Sequence, residues 1–416
     1  MYGLLGKKLK HSYSKEIHAL LGNKQYQLIE TNDLDSFFSS SKIQGINVTI
    51  PYKEKVISYL DNVDELANKI GSVNTIVNRD GKLIGYNTDC IGLREMLSHY
   101  QIKIASKKIL ILGNGGAAKA CKVLFEDLFA SKVTKVCRHP ERDDEIPFKS
   151  IDTVLDYDII VNTTPVGMYP NNEENPLISI NDFPNCSVVI DLIYNPGNTY
   201  LLLSAKEKGI AAYNGLYMLV MQAISAHELF FNIKIDSETK QKIYSQMKEK
   251  TSNIVLIGLP LSGKSKYAVI LSSLYGKEVI DTDESIEYMT QKKVSDIFET
   301  QGESAFRKME SDLVDSIYKS LDLAISTGGG MVENSQLMMK LKQNGVVVFL
   351  DKDPEIIASL TIRNRPLIKN ASDVLSLAKR RLPYYNKYAD IIIKIEKETS
   401  IHSKEIEEKL NEYFSC

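Results

Sequence analysis

Two glycine-rich loops on this chain of 416 residues carry residue types that bind phosphate groups. The first, GNGGAA at residues 113–118, and the second, GLPLSGKS at residues 258–265, each follow a short apolar run of strand length. A strand that leads through a glycine turn into a helix directs backbone N–H groups and the positive end of the helix towards a phosphate. The first loop has dinucleotide-binding spacing, and the second has the P-loop spacing for ATP with Mg²⁺. The sequence therefore predicts a redox enzyme fused to a kinase.

The first loop predicts which dinucleotide binds. Its first glycine makes the turn, its second lets the pyrophosphate approach, and its final small residue allows close helix–strand packing. The strand that follows ends before Arg138 and Arg142, where NAD enzymes carry an acidic residue and NADP enzymes carry arginine. These arginines predict NADP(H), with a solvated basic loop as the alternative. The predicted cofactor contacts are Gly113, Gly115, Gly116, Ala117, Ala118, Arg138 and Arg142.

The second loop satisfies the full P-loop pattern. Lys264 is predicted to reach the β- and γ-phosphates of ATP, and Ser265 to bind Mg²⁺. Gly258 and Gly263 give the loop its close approach to the nucleotide.

The elements that must position these loops follow from hydrophobic periodicity. Strand-length apolar runs alternate with helix-period segments, which is typical of parallel α/β folds. We therefore predict an α/β protein: a two-lobed dehydrogenase with a Rossmann-type NADP lobe, followed by a P-loop kinase domain with a parallel sheet. Residues 1–250 would form the dehydrogenase, with 1–98 plus 215–250 as substrate lobe and 99–214 as NADP lobe, and residues 251–416 the kinase.

The composition limits which classes of partner and which cellular compartment we expect. The formal net charge is −2, so nucleic acid is not an expected partner, and no apolar stretch is long enough for a bilayer. Five cysteines without C-x-x-C spacing favour neither a disulfide framework nor a zinc site. We expect small-molecule substrates, no membrane partner and a cytoplasmic location. The sequence leaves the oligomeric state open.

Seven ordered motifs in residues 1–250 resemble those of shikimate dehydrogenases. They include HSYS at 11–14, GINVTIPYK at 45–53, SVNT at 72–75, NTD at 87–89 and NTTPVGM at 162–168. The resemblance implies Lys53 and Asp89 as catalytic residues and 3-dehydroshikimate and shikimate as substrate and product. The implied substrate contacts are Ser12, Ser14, Thr49, Asn74, Tyr194 and Gln222, and further implied cofactor contacts are Thr164 and Gly215.

The chemistry of ketone reduction suits these catalytic types. Hydride goes to carbon while the developing alkoxide takes up a proton, which a lysine beside a carboxylate can transfer. Two alternatives stay open: Lys53 as an exposed lysine at a helix start, and Asp89 as a helix N-cap.

Residues 251–416 resemble shikimate kinases through DTD at 281–283, FR at 306–307, GGG at 328–330, RPL at 365–367 and RLPYY at 381–385. The resemblance implies that Asp283 accepts the proton of the attacking hydroxyl and that Asp281 lies near Mg²⁺. The implied substrate contacts are Arg307, Gly329, Gly330 and Arg381, and the implied lid residues are Arg365 at the phosphates and Arg363 at the adenine. Arg307 and Arg381 have structural ion pairs as their alternative.

The leading hypothesis is a bifunctional enzyme of aromatic amino-acid precursor synthesis. Its first half would reduce 3-dehydroshikimate with NADPH, and its second half would phosphorylate shikimate with Mg-ATP. One alternative is a non-catalytic metabolite sensor, which the presence of Lys53, Asp89, Lys264 and Asp283 disfavours. Another is an enzyme that acts on quinate with NAD, which Arg138 and Arg142 disfavour.

Overall fold

The structure is a computed structural model that describes residues 1–9, 12–360, 371–396 and 399–416. The chain divides into two compact units, the first of Met1–Tyr194 and Ser204–Met247 and the second of Asn195–Leu203 and Lys248–Cys416. The assignment of Asn195–Leu203 to the second unit differs from the sequence prediction, which placed this segment in the NADP lobe. Hydrogen bonds within the second unit account for this, since the Asn198 side chain donates to the Lys342 carbonyl at 2.9 Å.

The N-terminal part of the first unit contains a mixed sheet in the order β2-β1-β3-β5-β6-β4. Its strands are β1 (Tyr2–Gly6), β2 (Tyr26–Glu30), β3 (Gly45–Val48), β4 (Asn62–Val63), β5 (Thr75–Arg79) and β6 (Lys82–Tyr86). Its helices are α1 (Ser14–Leu20), α2 (Leu34–Ser40), α3 (Glu65–Ile70) and α4 (Thr88–His99). Strands β1, β2 and β3 are parallel, whereas β5 runs antiparallel to β3 and β6.

A second sheet in this unit is parallel throughout, in the order β12-β11-β10-β7-β8-β9. Its strands are β7 (Lys108–Leu112), β8 (Lys132–Cys137), β9 (Glu145–Pro147), β10 (Ile159–Asn162), β11 (Val188–Asp191) and β12 (Ala211–Asn214). The helices that follow these strands are α5 (Gly116–Asp127), α6 (Tyr200–Glu207), α7 (Leu216–Phe231) and α8 (Ser237–Lys250). The division into units falls after Leu203 within α6 and after Met247 within α8. Helix α7 packs against α1 and α4.

The second unit contains a five-stranded parallel sheet in the order β14-β15-β13-β16-β17. Its strands are β13 (Asn253–Ile257), β14 (Glu278–Asp281), β15 (Leu323–Ser326), β16 (Gly345–Asp351) and β17 (Ile391–Lys394). Its helices are α9 (Lys264–Tyr275), α10 (Thr282–Thr290), α11 (Val294–Ile317), α12 (Ser335–Asn344), α13 (Pro354–Ser359), α14 (Ala371–Tyr388) and α15 (Thr399–Ser415).

The buried strands explain the parallel sheets. Every residue of β13 and β10 is buried, as expected for strands covered by helices on both faces. The predicted α/β class is confirmed. Within the described ranges, no helix is both long enough and apolar enough to cross a membrane.

Candidate active sites

One edge of the first sheet collects three predicted substrate residues and one predicted catalytic residue. Thr49 follows the carboxyl end of β3, and Ser12 follows that of the neighbouring parallel strand β1. Strand β5 runs the other way and begins just after Asn74, while β6 ends there, shortly before Asp89. Ligand sites of α/β folds lie at the carboxyl ends of parallel strands. The topology therefore places these four residues at one edge, although they are far apart in sequence.

Lys53 and Asp89 form an ion pair at this edge. The distance between Lys53 Nζ and Asp89 Oδ2 is 2.5 Å, and the side chains are 17% and 10% exposed. The Lys53 carbonyl accepts a hydrogen bond from Val73 N at 2.8 Å, which fixes its backbone beside the start of β5. The alternative of a solvent-exposed lysine is wrong.

The N-cap alternative for Asp89 is also wrong. Asn87 is the residue that caps α4, because its Oδ1 accepts from Cys90 N at 3.1 Å. Asp89 lies in the first helical turn, where the helix dipole favours a carboxylate. Its charge is therefore available to Lys53.

Asn74 holds the other oxygen of Asp89. Asn74 Nδ2 donates to Asp89 Oδ1 at 2.8 Å, and Asn74 Oδ1 accepts from Thr88 N at 2.7 Å. Because an N–H cannot accept, the Thr88 bond determines which end of the amide faces the carboxylate. Gln222 Oε1 lies 3.5 Å from Asn74 Nδ2, so α7 reaches the same cluster.

A buried network that the sequence did not predict supports this edge. Asn47 Oδ1 accepts from Tyr26 OH at 2.7 Å, and Asn47 Nδ2 donates to Thr75 Oγ1 at 3.0 Å. His18 stacks on Tyr26 at a centroid distance of 3.9 Å. Burial, with a contribution from His227, lowers the pKa of His18 to about 3. Asn47 belongs to the GINVTIPYK motif at residues 45–53, but no spacing in the sequence connects it to His18 or Tyr26.

The serine turn lies against Tyr194. Ser12 Oγ donates to Ser14 Oγ at 3.1 Å and accepts from Ser14 N at 3.2 Å. The ring of Tyr13 lies 5.4 Å from that of Tyr194, and burial raises the pKa of Tyr194 to about 12. The structure thus brings Tyr194 beside the serine turn. His11, which begins the motif, lies outside the described residues.

The dinucleotide loop leads directly from β7 into α5. Gly113 has φ +111°, in the left-handed region that favours glycine, and Gly115 is the N-cap of α5. A Cβ at Gly116 would lie 3.6 Å from Lys53 Cδ, so the start of α5 is next to the ion pair. Ala117 lies in the first turn, and Ala118 is fully buried against the sheet.

Two further predicted cofactor residues are held by the second sheet. Asn162 Oδ1 accepts from both Thr164 N, at 3.0 Å, and Thr164 Oγ1, at 2.7 Å. Asn162 Nδ2 in turn donates to Asp191 Oδ1 at 2.9 Å. Gly215 precedes α7 against the Leu192 carbonyl, with no room for a side chain.

Arg138 and Arg142 follow β8 and are both exposed. Neither side chain forms an ion pair with any residue that the structure describes. Their guanidinium groups therefore face solvent in a loop after the strand next to β7.

The P-loop connects β13 to α9. Gly258 has φ +150°, and Gly263 is the N-cap of α9. Lys264 Nζ donates to the carbonyls of Gly258 and Leu259, each at 3.0 Å. The lysine thus lies over the loop, bound to the loop's own carbonyl groups.

Ser265 and Asp281 meet at the ends of neighbouring elements. Ser265 Oγ donates to Asp281 Oδ2 at 2.6 Å, and Asp281 Oδ1 caps α10 by accepting from Asp283 N at 3.1 Å. Their oxygen atoms are of the type that Mg²⁺ prefers. In the described part of the chain, no group of three or more His, Cys, Asp or Glu side chains is arranged for a metal.

The predicted substrate pocket of the second unit lies around residues 328–330. A Cβ at Gly328 would be 2.7 Å from both Asp283 Oδ1 and Glu310 Oε1, so both carboxylates face this turn. Gly330 lies against the Arg307 guanidinium, and the Gly329 carbonyl accepts from Tyr385 OH at 2.6 Å.

Both pocket arginines bind the protein's own glutamates. Arg307 contacts Glu310 at 2.5 Å and Glu303 at 2.9 Å, and Arg381 contacts Glu333 at 3.3 Å. Burial raises the pKa of Glu310, although Arg307 opposes that rise. The alternative of ion pairs is therefore present in this structure.

No motif of the sequence assigns a role to these glutamates. The three- and four-residue spacing of Glu310 and Glu303 from Arg307 on one helix was the available signal. The proposed lid residues Arg363 and Arg365 lie outside the described residues.

Two family models match separate parts of the chain. Residues 4–76 match the shikimate dehydrogenase substrate binding domain, and residues 260–413 match shikimate kinase.

Nearly the whole length of several similar proteins matches a part of this chain. An NADP(+) shikimate dehydrogenase of Clostridium perfringens (strain 13 / Type A) is 37% identical over an alignment of 271 residues. The match covers 60% of this chain and 98% of the relative. A chorismate mutase/shikimate 5-dehydrogenase fusion protein from Clostridium acetobutylicum has a similar crystal structure, with a TM-score of 0.55 and 38% identity over 60% of this chain and 97% of that one.

A third similar protein was solved with ligands. The shikimate 5-dehydrogenase of Thermus thermophilus, in complex with NADP(H) and shikimate, has a TM-score of 0.52 and 28% identity over 58% of this chain and 97% of its own. Both resemblances predicted from the motifs are confirmed. The chain therefore belongs to the shikimate dehydrogenase family and also carries a shikimate kinase domain, which makes it a bifunctional enzyme of the shikimate pathway.

Proposed function

We propose that the first half reduces 3-dehydroshikimate to shikimate with NADPH and that the second half converts shikimate to shikimate 3-phosphate with ATP. The observation that carries this proposal is the Lys53–Asp89 ion pair, 2.5 Å long, beside the start of the dinucleotide helix. A ring acid and a nicotinamide cofactor are both expected at that point. The product of the first reaction is the substrate of the second, which gives the fusion its chemical logic.

NADPH fits the residues of the first half. The N-terminus of α5 offers N–H groups to a pyrophosphate, and the exposed Arg138 and Arg142 offer charge to a 2′-phosphate. The cofactor supplies the hydride when bound. Lys53 donates a proton to the ketone oxygen, and Asp89 orients the lysine and compensates its charge.

The remaining polar residues orient the ring. Ser12 and Ser14 bind the substrate carboxylate through their hydroxyl groups. Asn74 and Gln222 bind the ring hydroxyls, with Thr49 and Tyr194 beside them. Hydroxyl and amide groups suit a ligand rich in hydroxyl groups, because each can both donate and accept.

ATP and Mg²⁺ fit the residues of the second half. Ser265 Oγ and Asp281 Oδ2, 2.6 Å apart, are the proposed oxygen ligands of Mg²⁺, which neutralises phosphate charge when bound. Lys264 leaves its two loop carbonyls to bind the phosphates, and Asp283 accepts the proton of the attacking hydroxyl. Phosphoryl transfer depends mainly on such positioning and charge neutralisation.

The shikimate carboxylate is assigned to two arginines. Arg307 and Arg381 bind it with forked hydrogen bonds, and Gly329 and Gly330 line the ring. For Arg307, this requires exchange of a glutamate for the substrate carboxylate. Arg365 at the phosphates and Arg363 at the adenine stay predictions.

A coupled assay tests both steps together. Purified full-length protein is given 3-dehydroshikimate, NADPH, ATP and Mg²⁺, and shikimate 3-phosphate is expected by mass spectrometry. Omission of ATP should leave shikimate, and omission of NADPH should leave 3-dehydroshikimate. Absence of NADPH oxidation would remove the first half of the proposal, and accumulation of shikimate in the complete mixture would remove the second.

Cofactor choice separates this proposal from a quinate enzyme that uses NAD. We expect kcat/KM to be higher with NADPH than with NADH, and Arg138→Ala to reduce the NADPH value selectively. Lys149→Ala removes an exposed positive charge outside the loop and is the matched control. Preference of the unmutated enzyme for NADH would overturn the arginine argument.

The proposed environment is the cytoplasm, with small molecules as partners. All five cysteines are free, and burial raises the pKa of Cys90 and Cys186 to about 11. A reducing compartment suits such thiols.

A further inference from the structure

A cluster of four charged side chains lies beneath the loop of residues 138–143. Lys135 Nζ is 2.7 Å from Glu145 Oε1 and 3.3 Å from Asp144 Oδ2. Lys122 Nζ is 2.9 Å from Asp144 Oδ2. Lys135 lies on β8, and Lys122 on α5, the helix that the dinucleotide loop begins. The acidic pair therefore connects the end of the arginine loop to both neighbouring elements.

Glu145 also holds the backbone of that loop. Its Oε2 accepts from Glu141 N at 2.8 Å, and its own N–H donates to the Arg142 carbonyl at 3.0 Å. Cys137, the last residue before the loop, places its Sγ 3.9 Å from the same Oε2. One carboxylate thus contacts the residue before the loop and a backbone amide inside it.

Burial makes this arrangement persistent. The side chains of Lys135 and Glu145 are 1% and 4% exposed. Either charge left alone there would be strongly destabilising, so the pair stays formed. Burial by itself would raise the pKa of Glu145, but Lys135 and the Glu141 amide lower it below the ordinary value.

We propose that Glu145 is a positioning residue for NADPH selectivity, which holds the loop so that Arg138 and Arg142 face the 2′-phosphate. Glu145 acts through the loop backbone and through Lys135, without contact with the cofactor. This inference rests on the proposed function, because that proposal assigns the 2′-phosphate to the two arginines.

Charge alone predicts the opposite effect of Glu145. A carboxylate near a phosphate repels it, so its removal would strengthen binding of NADPH if Glu145 had no positioning role. A loop released from Glu145 would instead present its arginines in many conformations and bind the 2′-phosphate less tightly. The sign of the change therefore separates the two mechanisms.

The test measures Glu145→Ala in the full-length protein with both cofactors. We expect KM for NADPH to rise about tenfold, with kcat/KM for NADH unchanged, because NADH has no 2′-phosphate. Glu145→Gln keeps a neutral acceptor for the Glu141 amide, and we expect a rise of about threefold. If the alanine variant does not fold, the glutamine variant decides, since the charge mechanism predicts a lower KM for both.

Asp158→Ala is the matched control. Asp158 also accepts from one lysine, Lys107 Nζ at 3.2 Å, and from one backbone amide, Lys108 N at 2.8 Å. It lies before β10, at the opposite end of the same sheet, so its loss should leave the ratio of NADPH to NADH activity unchanged.

The other possible results would contradict either the positioning role of Glu145 or the proposed 2′-phosphate site. A KM for NADPH that is unchanged or lower in both Glu145 variants, or an equal loss with NADH, would overturn the positioning role. An Arg138→Ala variant that keeps its NADPH preference would overturn the proposed 2′-phosphate site and the present inference with it. Loss of preference in Arg138→Ala but not in the Glu145 variants would overturn the present inference alone.

Discussion

The Lys53–Asp89 pair of the dehydrogenase half, which is proposed to be catalytic, and the cationic residues of the kinase half differ in how they are held. Lys53 already contacts the carboxylate that is its proposed catalytic partner. In the kinase half, Lys264 binds two loop carbonyls, while Arg307 and Arg381 bind glutamates. The pair proposed for proton transfer is therefore already in contact without a ligand. Under the proposed function, the kinase residues would instead exchange internal partners for those of the ligands.

This difference follows from the charge of the group that would meet each set of residues. The ketone proposed to react beside Lys53 is neutral, although the same substrate carries a carboxylate elsewhere, so an ion pair that is neutralised within the protein can stay in place there. Nucleotide phosphates and a carboxylate are anions, and cations that await them would be costly to bury without interim partners. The internal carbonyls and glutamates lower that cost until the substrates bind.

The largest effect is expected for Lys53→Met. Loss of the proton donor should lower kcat for NADPH oxidation by about 10²- to 10⁴-fold, whereas the kinase rate should not change. The readout is the absorbance of NADPH with 3-dehydroshikimate, and Lys55→Met, at an exposed lysine two residues away, is the control. Retention of more than a tenth of the activity would mean that the pair is structural.

The second-largest effect is expected at the P-loop of the kinase half. Lys264→Met should lower the kinase kcat by about 10²- to 10³-fold, because a cation that contacts the transferred phosphate is lost. Phosphorylation is followed by ADP release, with NADPH oxidation as an internal standard for folding. Lys266→Met, at an exposed lysine on the same helix, should keep its activity. Equal losses in the two variants would contradict the phosphate role of Lys264.

A smaller effect is expected at the arginines that are proposed to bind the shikimate carboxylate. Arg381→Lys should raise KM for shikimate by about 10- to 100-fold, since lysine cannot make a forked pair and a charge-assisted bond is lost. Its neighbour Arg380 contacts the same Glu333, at 2.6 Å, but is 57% exposed. Arg380→Lys should therefore leave KM within about twofold. Similar KM increases in both would locate the effect at Glu333.

The smallest effect concerns the buried support of the dehydrogenase edge. The pKa of His18 is about 3 in the folded protein and 6.5 as the ordinary value, so below pH 6.5 the unfolded chain binds a proton that the folded one does not. Neutral His18 therefore contributes to the free energy of unfolding above pH 6.5, and this contribution is lost as the pH falls towards 3. Between pH 7 and pH 5 the free energy of unfolding should fall by about 2 kcal/mol on this account. Calorimetry at pH 7 and pH 5 should show this decrease in the unfolding transition of the dehydrogenase half, which is recognised because NADP⁺ raises its midpoint temperature.

His18→Gln supplies the control for that pH dependence. Glutamine keeps a polar group next to Asn47 but does not titrate, so the dehydrogenase transition should lose part of its sensitivity between pH 7 and pH 5. An unchanged slope would show that other groups dominate the acid sensitivity of this half.

The fold was largely predictable because its signals are local. Strands β7 and β13 coincide with apolar runs that precede glycine loops, and α8 ends at Lys250, where the sequence predicts the boundary between the two halves. Periodicity and turn chemistry act over a few residues and are visible in one dimension. The segment Asn195–Leu203 was assigned differently by the structure because its partners lie about 145 residues away.

The candidate sites were predictable only in part. Motifs named Lys53 and Asp89, but their direct contact depends on the antiparallel strand between them. That Asn87 rather than Asp89 caps α4 is a matter of backbone geometry. The buried partners of Asn47 had no signal at all, since contacts between different elements leave no fixed spacing.

The sequence by itself determined the two phosphate loops, the α/β class and the family of each half, because spacing within a motif is a property of neighbouring residues. Only the tertiary structure decided which charges are paired: Asp89 with Lys53, Glu310 with Arg307, and Glu145 with Lys135. Two of these pairs join separate elements, and the third depends on which face of α11 is buried. Pairing is set by burial and distance after the chain has folded, and neither is written in the order of residues.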